Sequence, residues 1–366
     1  FIGLEAENYF TGSIDNVSVK EVAGSHATQP TSTKRPIYAR HPEGGIRNLL
    51  NYTEQFDNGY WIKNSSQPVV TPNYAVAPDG AVTADRVVMN GSSLYSEMFQ
   101  RINVLAGNTY TASVWLKLNS GTASVYTAYG NVSGYSNLVA VTSEWERYEV
   151  SLSGNVIAGV NLITGYMSAS DTADILVWGA QFEEATEASN YQKRVTDIDV
   201  TESGVGEVYY LKFDGVDDGM FINNLTSAST PKTALFGYSA TNANDGRAKY
   251  LIDIQSGRTV FAASADTAGY VGYFDGAWSQ FDTDAEAIKV LTYDLVENDA
   301  KMRIDGTQEY SDTTYDQQAI GGTIKLFTAI DSDSQCVEGN MYQTILRAAE
   351  STDEEIAKAE TYVANK

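Results

Sequence analysis

The feature that most constrains this chain is the recurrence of short runs in which apolar and polar residues alternate, each closed by Gly, Asn or Asp. Across residues 110–116, Tyr110, Ala112, Val114 and Leu116 fall on one side and Thr111, Ser113 and Trp115 on the other. That period of two marks a half-buried strand. Runs of the same kind are "TADRVVM", "TASVYTAYG", "RYEVSLSG" and "DILVWGAQFEE". Beyond them come "VYYLKF", "ALFGYSA", "KYLIDIQ", "TVFAASA", "AIKVLTYDL", "AKMRIDG" and "TIKLFTAI". Turn signals return about every 8 to 15 residues, which predicts all-β sandwiches rather than helices. The abundance of Tyr, 24 residues, fits the same expectation.

At 366 residues the chain is long enough for two cores of ordinary size. A break is expected at the polar stretch "TDIDVTESGVGE", after which "EVYYLKF" starts a second core. The expected organisation is a first sandwich over 46–194 and a second over 195–366. Residues 10–22, "FTGSIDNVSVKEV", read as one strand with no sheet before it. Residues 1–22 are therefore expected to be the last strand of a preceding module. Residues 23–45 hold three of the seven prolines, both histidines and several basic residues without periodicity, the marks of an extended linker. The closing "STDEEIAKAETYVANK" predicts a helix over 351–365, with Ser351 and Glu354 as a capping box. Ile356, Ala359 and Val363 would form its buried face, docked on the preceding sheet because so short a helix is marginal alone.

The net charge of -23 repels phosphate backbones and excludes nucleic acid as a partner. No apolar run approaches the roughly 18 residues of a spanning helix, so no membrane insertion is expected. With Cys336 as the single cysteine, no disulfide can form within the chain. Both histidines, His26 and His41, sit in the expected linker, which leaves Ser-His-Asp, Cys-His and histidine-zinc chemistry without a partner in either core.

"NLLNYTEQFDNGYW", "APDGAVTADRVV" and "VWGAQFEEATEASNYQK" together resemble a jelly-roll module of bacteriophage virion proteins that is related to carbohydrate-binding jelly rolls. "GSIDNVSVKEV" resembles the final strand of the same kind of module. "YLKFDGVDDGMFI", "LTYDLVENDAKMRIDGT" and "ILRAAESTDEEIAKAETYVANK" resemble the concanavalin A-like (laminin-G/pentraxin-type) sandwich of phage tail and fibre proteins. The resemblance implies a jelly roll followed by a concanavalin A-like domain. It also implies a virion component, a tail fibre or head appendage on the extracellular particle surface, working beside other virion proteins as a homotrimer.

The function expected from this is host attachment: lectin-like binding of host cell-surface polysaccharide without catalysis. The alternatives are a purely structural spacer or decoration protein, and a glycan depolymerase. Concanavalin A-like glucanases carry acids at alternating positions of one strand. The nearest match is Asp282, Asp284 and Glu286 in "DTDAE", where Asp replaces the first Glu, so no enzyme is expected.

Sugar rings stack on Trp and Tyr while Asn, Asp and Gln fix their hydroxyls. The candidate glycan contacts are Tyr126, Tyr129, Asn131 and Tyr135 in "SVYTAYGNVSGY". A second set is Tyr270, Tyr273, Asp275 and Trp278, with Gln280, in "GYVGYFDGAWSQF". Trp115 and Trp178, inside regular strands, are expected to be packing residues.

The jelly-roll resemblance also implies a structural calcium, with Glu54 and Asp57 at its early acidic positions. A second calcium position is offered by Asp217 and Asp218 of "DGVDDG". An EF-hand counted from Asp214 fails there, because Val216 and Leu225 occupy places that need acids. The plainer expectation is a tight polar turn, with Gly215 and Gly219 supplying permissive dihedrals and the aspartates binding nearby N–H groups.

Overall fold

The computed structural model describes residues 27–63, 68–91, 97–105, 107–130, 134–152, 160–161, 172–225, 232–241, 249–254, 259–264, 271–274, 278–281, 290–315, 322–328 and 336–365. Among the described residues the fold is all-β with one short α-helix, and the chain divides into two compact units. One is Ile37–Lys212; the other joins Phe213–Asn365 to the segment before Ile37.

The first unit runs β1 (Ile37–Pro42), β2 (Ile62–Lys63), β3 (Val69–Ala75), β4 (Ala84–Met89), β5 (Met98–Phe99), β6 (Arg101–Ile102), β7 (Tyr110–Ser120) and β8 (Ser124–Gly130). It continues with β9 (Gly134–Ala140), β10 (Glu146–Leu152), β11 (Val160–Asn161), β12 (Ala173–Glu183), β13 (Gln192–Thr196), β14 (Asp199–Glu202) and β15 (Glu207–Asp214). A five-stranded sheet, β10-β7-β12-β4-β3, and a four-stranded sheet, β6-β11-β8-β9, make the sandwich. Ala112, Val114 and Leu116 of the first sheet share one core with Val125 and Val139 of the second. The inward side of β7 is therefore the side its alternation marks, and Trp115 is left on the outer side.

Asn48, fully buried, locks the entry to this sandwich. Its amide donates to the carbonyls of Ala180 and Gln192, and its Oδ1 accepts from the N–H groups of Leu50 and Phe182. Both donors and both oxygen lone pairs of that side chain are used, which is how a buried amide avoids a desolvation cost.

The stretch expected as a linker carries a strand instead. Six residues of β1 pair antiparallel with β15, and Arg40 sits opposite Asp199 of β14 in a parallel bridge. The order β13-β14-β1-β15 also draws in the polar run "TDIDVTESGVGE", expected as a boundary. The units accordingly divide at 36/37 and 212/213 rather than at 45/46 and 194/195. Periodicity is weak in these strands because their polar side chains are tied to each other, as Arg40 is to Asp199 and Glu207. The strand read over 10–22 lies outside the described residues.

The second unit contains β16 (Met220–Leu225), β17 (Thr233–Ala240), β18 (Lys249–Ile254), β19 (Thr259–Ser264), β20 (Val271–Phe274), β21 (Trp278–Phe281), β22 (Val290–Val296), β23 (Asp299–Ile304), β24 (Thr307–Asp312), β25 (Gly322–Leu326) and β26 (Glu338–Arg347), then α1 (Asp353–Ala364). Its strands are ordered β26-β17-β22-β23-β24 in one sheet and β16-β25-β18-β19-β20-β21 in the other.

The helix docks as expected, but its cap lies one residue later. Thr352 accepts from the Glu355 N–H, and the Glu355 carboxylate accepts from the Thr352 N–H. Ser351 instead bonds Thr233 and Arg347 on the sheet side. Val363 and Ala359 pack with Leu235, Val290 and Ile345. A Cβ on Gly237 would lie 2.5 Å from Val363, so the missing side chain makes room for the helix. Glu360 is buried as well, where it accepts from Arg303 at 2.8 Å and Thr292 at 2.9 Å.

Candidate functional site

The first unit holds a cleft of about 860 Å³ on the outer side of its five-stranded sheet. Three adjacent strands lay a row across its floor. Arg147 of β10 is directly opposite Trp115 of β7, and Trp115 is directly opposite Trp178 of β12. The Arg147 guanidinium lies 4.4 Å from the Trp115 ring centre, a cation–π contact. Its Nη groups donate to the Ser113 hydroxyl and the Ser189 carbonyl. Burial lowers its pKa from the usual arginine value.

Tyr191 closes the aromatic group, 4.8 Å from Trp178 and 5.5 Å from Trp115 between ring centres. Its hydroxyl meets the Thr53 hydroxyl at 2.8 Å and donates to Glu54. Burial, and then the Glu54 charge, push that phenol well above its usual range. Trp178 is almost wholly covered, whereas Trp115 and Tyr191 are half-buried.

A glycine sets this geometry. Between Trp178 and Gln181 the register of β12 shifts, and Gly179 takes φ +64°, a β-bulge in the left-handed region. A Cβ there would stand 2.9 Å from the Trp115 ring. Only the bare backbone lets Trp115 lie down over the bulge.

The walls are polar. Lys193 donates to Glu54 at 2.7 Å, Arg47 to Glu202 at 2.7 Å, and Arg40 to Glu207 at 3.1 Å. Asp79, Asn190 and Ser203 are exposed at the rim. Tyr209 also donates to Glu207, and with Arg40 it holds that carboxyl below the usual range. That is the opposite of what a general acid needs.

Trp115 and Trp178 do pack, as expected, in a cluster with Ala77, Ala84 and Tyr191, and they line the cleft as well. The signal was present in the alternation: Trp115 shares its face with Thr111 and Ser113, on the side away from the core. Of the expected glycan contacts, Asn131, Tyr270 and Asp275 lie outside the described residues. For Tyr126 and Tyr129 on β8, Tyr135 on β9, Tyr273 on β20 and Trp278 on β21, only the strand positions are described, with Tyr129 opposite Tyr135. Asp282, Asp284 and Glu286 also lie outside the described residues.

Of the expected calcium residues, Glu54 and Asp57 belong to the first unit and Asp217 and Asp218 to the second. Glu54 turns into the cleft and engages Lys193 and Tyr191, while Asp57 is exposed. Near it Asp85, buried, accepts from the N–H groups of Phe56 and Asn73. Asp214, Asp217 and Asp218 do converge, each offering an oxygen within 4.8 Å of the others. Asp214 accepts from the N–H groups of Val216 and Asp217, and Asp218 accepts from the Asp214 N–H. Lys34 stands 3.7 Å from Asp217. This is the polar turn the sequence predicts, with one change. Gly215 takes φ +72°, but Gly219 is required for space, since its Cβ would stand 2.4 Å from Thr328.

No protein-family model matches this chain, and no curated protein matches it. Among solved structures, it is similar to the CBM22-1 xylan-binding domain from Paenibacillus barcinonensis Xyn10C, at 14% identity and TM-score 0.28, covering 42% of this chain and 99% of that one. The CBM22-1-CBM22-2 tandem domain of the same protein matches at 10% identity and TM-score 0.30, covering 87% and 100%. The tripod (BppUct-A-L) from the baseplate of bacteriophage Tuc2009 matches at 12% identity and TM-score 0.24, covering 77% and 99%. At such values these similarities say nothing of what this chain binds or where it works.

Proposed function

We propose that this chain binds a glycan, without catalysis, in the cleft of its first unit. The observation that carries the reading is the Arg147–Trp115–Trp178 row, closed by Tyr191 and walled by hydrogen-bonding side chains. Apolar ring faces beside convergent polar groups are what a pyranose recognises, since each sugar has a C–H face and a hydroxyl edge. Glu54, Glu202 and Glu207 are already committed to Lys193, Arg47 and Arg40, so they act as fixed acceptors rather than as an acid–base pair.

The setting we propose is a phage particle, with the chain as a tail-fibre or appendage component attaching to host polysaccharide. The sequence resemblance to virion modules supports this setting. Weak sites repeated on one particle would hold by avidity. The test is affinity electrophoresis of the whole chain through gels containing host capsule and a panel of neutral and acidic polysaccharides. Retardation that Trp115→Ala and the exposed-rim variant Asp79→Ala both weaken supports the reading. Migration unaffected by every polysaccharide, or release of reducing ends from capsule, overturns it.

A further inference from the structure

Next to the cleft, on the outward side of β1 and β15, two tyrosines stack in the open. The rings of Tyr38 and Tyr209 are 5.5 Å apart and inclined by only 10°. Tyr38 is 68% exposed and Tyr209 45%. The pair is a diagonal cross-strand contact that steadies the β1–β15 ladder, and its exposed ring faces are a surface on which apolar ligand faces can settle.

Their placement ties them to the cleft. Tyr209 lies directly opposite Arg40 across the strand pair, and Tyr38 is two residues before Arg40 on the same face. At the strand rise of roughly 3.4 Å per residue, Tyr38 sits about 7 Å further along. Arg40 and Glu207 both line the cleft, and Glu207 accepts from the Tyr209 hydroxyl. Arg40 is held by Asp199 at 2.7 Å as well as by Glu207, so this bridge is a fixed ledge of donors and acceptors. An aromatic floor, a polar ledge and an aromatic pair thus follow one another across a single unit.

The geometry points to the Tyr38–Tyr209 pair as a second stacking platform that, with the cleft, takes consecutive residues of one polysaccharide chain. The inference rests on the glycan reading of the cleft. The ligand is then an extended polymer segment, bound along its length, rather than a single terminal sugar. The occupant is a glycan because the pair is continuous with the ledge of fixed polar groups, where a protein partner would meet ion pairs already satisfied by their neighbours.

Isothermal titration with host capsular polysaccharide, xylan, β-glucan, galactomannan and amylose, and with the disaccharide and hexasaccharide of each, tests this. For at least one polymer the hexasaccharide should bind roughly tenfold tighter than the disaccharide. Tyr38→Ala, which leaves the Tyr209–Glu207 hydrogen bond in place, should remove that gain, leave the disaccharide affinity unchanged, and leave the oligomeric state unchanged by light scattering. Tyr38 is exposed, so folding is not at stake, and melting curves would verify it. A gain that persists in this variant overturns the platform but leaves the cleft standing. Loss of disaccharide binding, or a changed oligomeric state, also overturns it by making the pair the primary site or a protein interface. Binding of none of these glycans overturns the cleft reading and the platform together.

Discussion

Trp115 lies over the backbone of Gly179, so close that a Cβ on the glycine would stand 2.9 Å from the indole. One residue without a side chain therefore decides where the floor of the cleft can be. Gly179→Ala should cost roughly 2–4 kcal/mol, from left-handed strain and overpacking together. Urea unfolding would show this as a lower midpoint. The same variant should also lose glycan retention, because Trp115 is displaced. Unchanged stability and retention would contradict the role given to Gly179.

Asn48 supplies a second prediction. With four hydrogen bonds to otherwise buried backbone groups, Asn48→Ala should lose at least about 2 kcal/mol. Asn51→Ala should lose less than about 1 kcal/mol, since the Asn51 bonds to Gln100 run through its main chain and its buried Oδ1 has no partner among the described residues. Equal losses in the two variants would contradict the clamp.

The pH dependence of stability should carry two opposite signatures. Burial pushes the Asp85 carboxyl up to about 6, against the N–H groups of Asn73 and Phe56. Folding therefore favours its neutral form, and this contribution is full below about 3.8 and lost as the pH rises through about 6. Asp174 is held down to about 2, chiefly by the hydrogen bond from Arg86. Its contribution is present above about 3.8 and lost as the pH falls through about 2. Unfolding free energies at several pH values would separate them. The wild type should lose ground relative to Asp85→Asn between pH 4 and 7, and relative to Asp174→Asn only in strong acid. Parallel curves would contradict both assignments.

The helix cap is testable with two exposed substitutions. Thr352→Ala should cost about 1 kcal/mol, whereas Glu354→Ala should cost no more than about 0.5, since Glu354 makes only a surface pair with Lys358. The reverse order would restore the cap one residue earlier.

Much of the fold was legible because alternation is a local signal. In β7 it separates Tyr110, Ala112, Val114 and Leu116 from the polar face without reference to any other strand. What stayed hidden depends on partners distant in sequence. β1 and β14 look like linker and boundary because their stability lies in pairs such as Arg40–Asp199, 159 residues apart. The cleft was hidden for a related reason. A tryptophan inside a regular strand reads as packing, and Trp115 and Trp178 do pack; that their cluster also floors a cleft depends on side chains from distant strands. Gly179 is the clue that could have revealed it, as a glycine inside a strand pattern marks a bulge or a close approach.

The most direct measurement is to follow the five indole N–H resonances by NMR while titrating in the hexasaccharide that binds. Trp61 is an internal control, buried in the core with its indole N–H bonded to the Tyr52 carbonyl. The Trp115 resonance should shift and saturate at the affinity measured by calorimetry, while that of Trp61 stays in place. A titration that moves Trp278 and leaves Trp115 unmoved would contradict the cleft as the binding site.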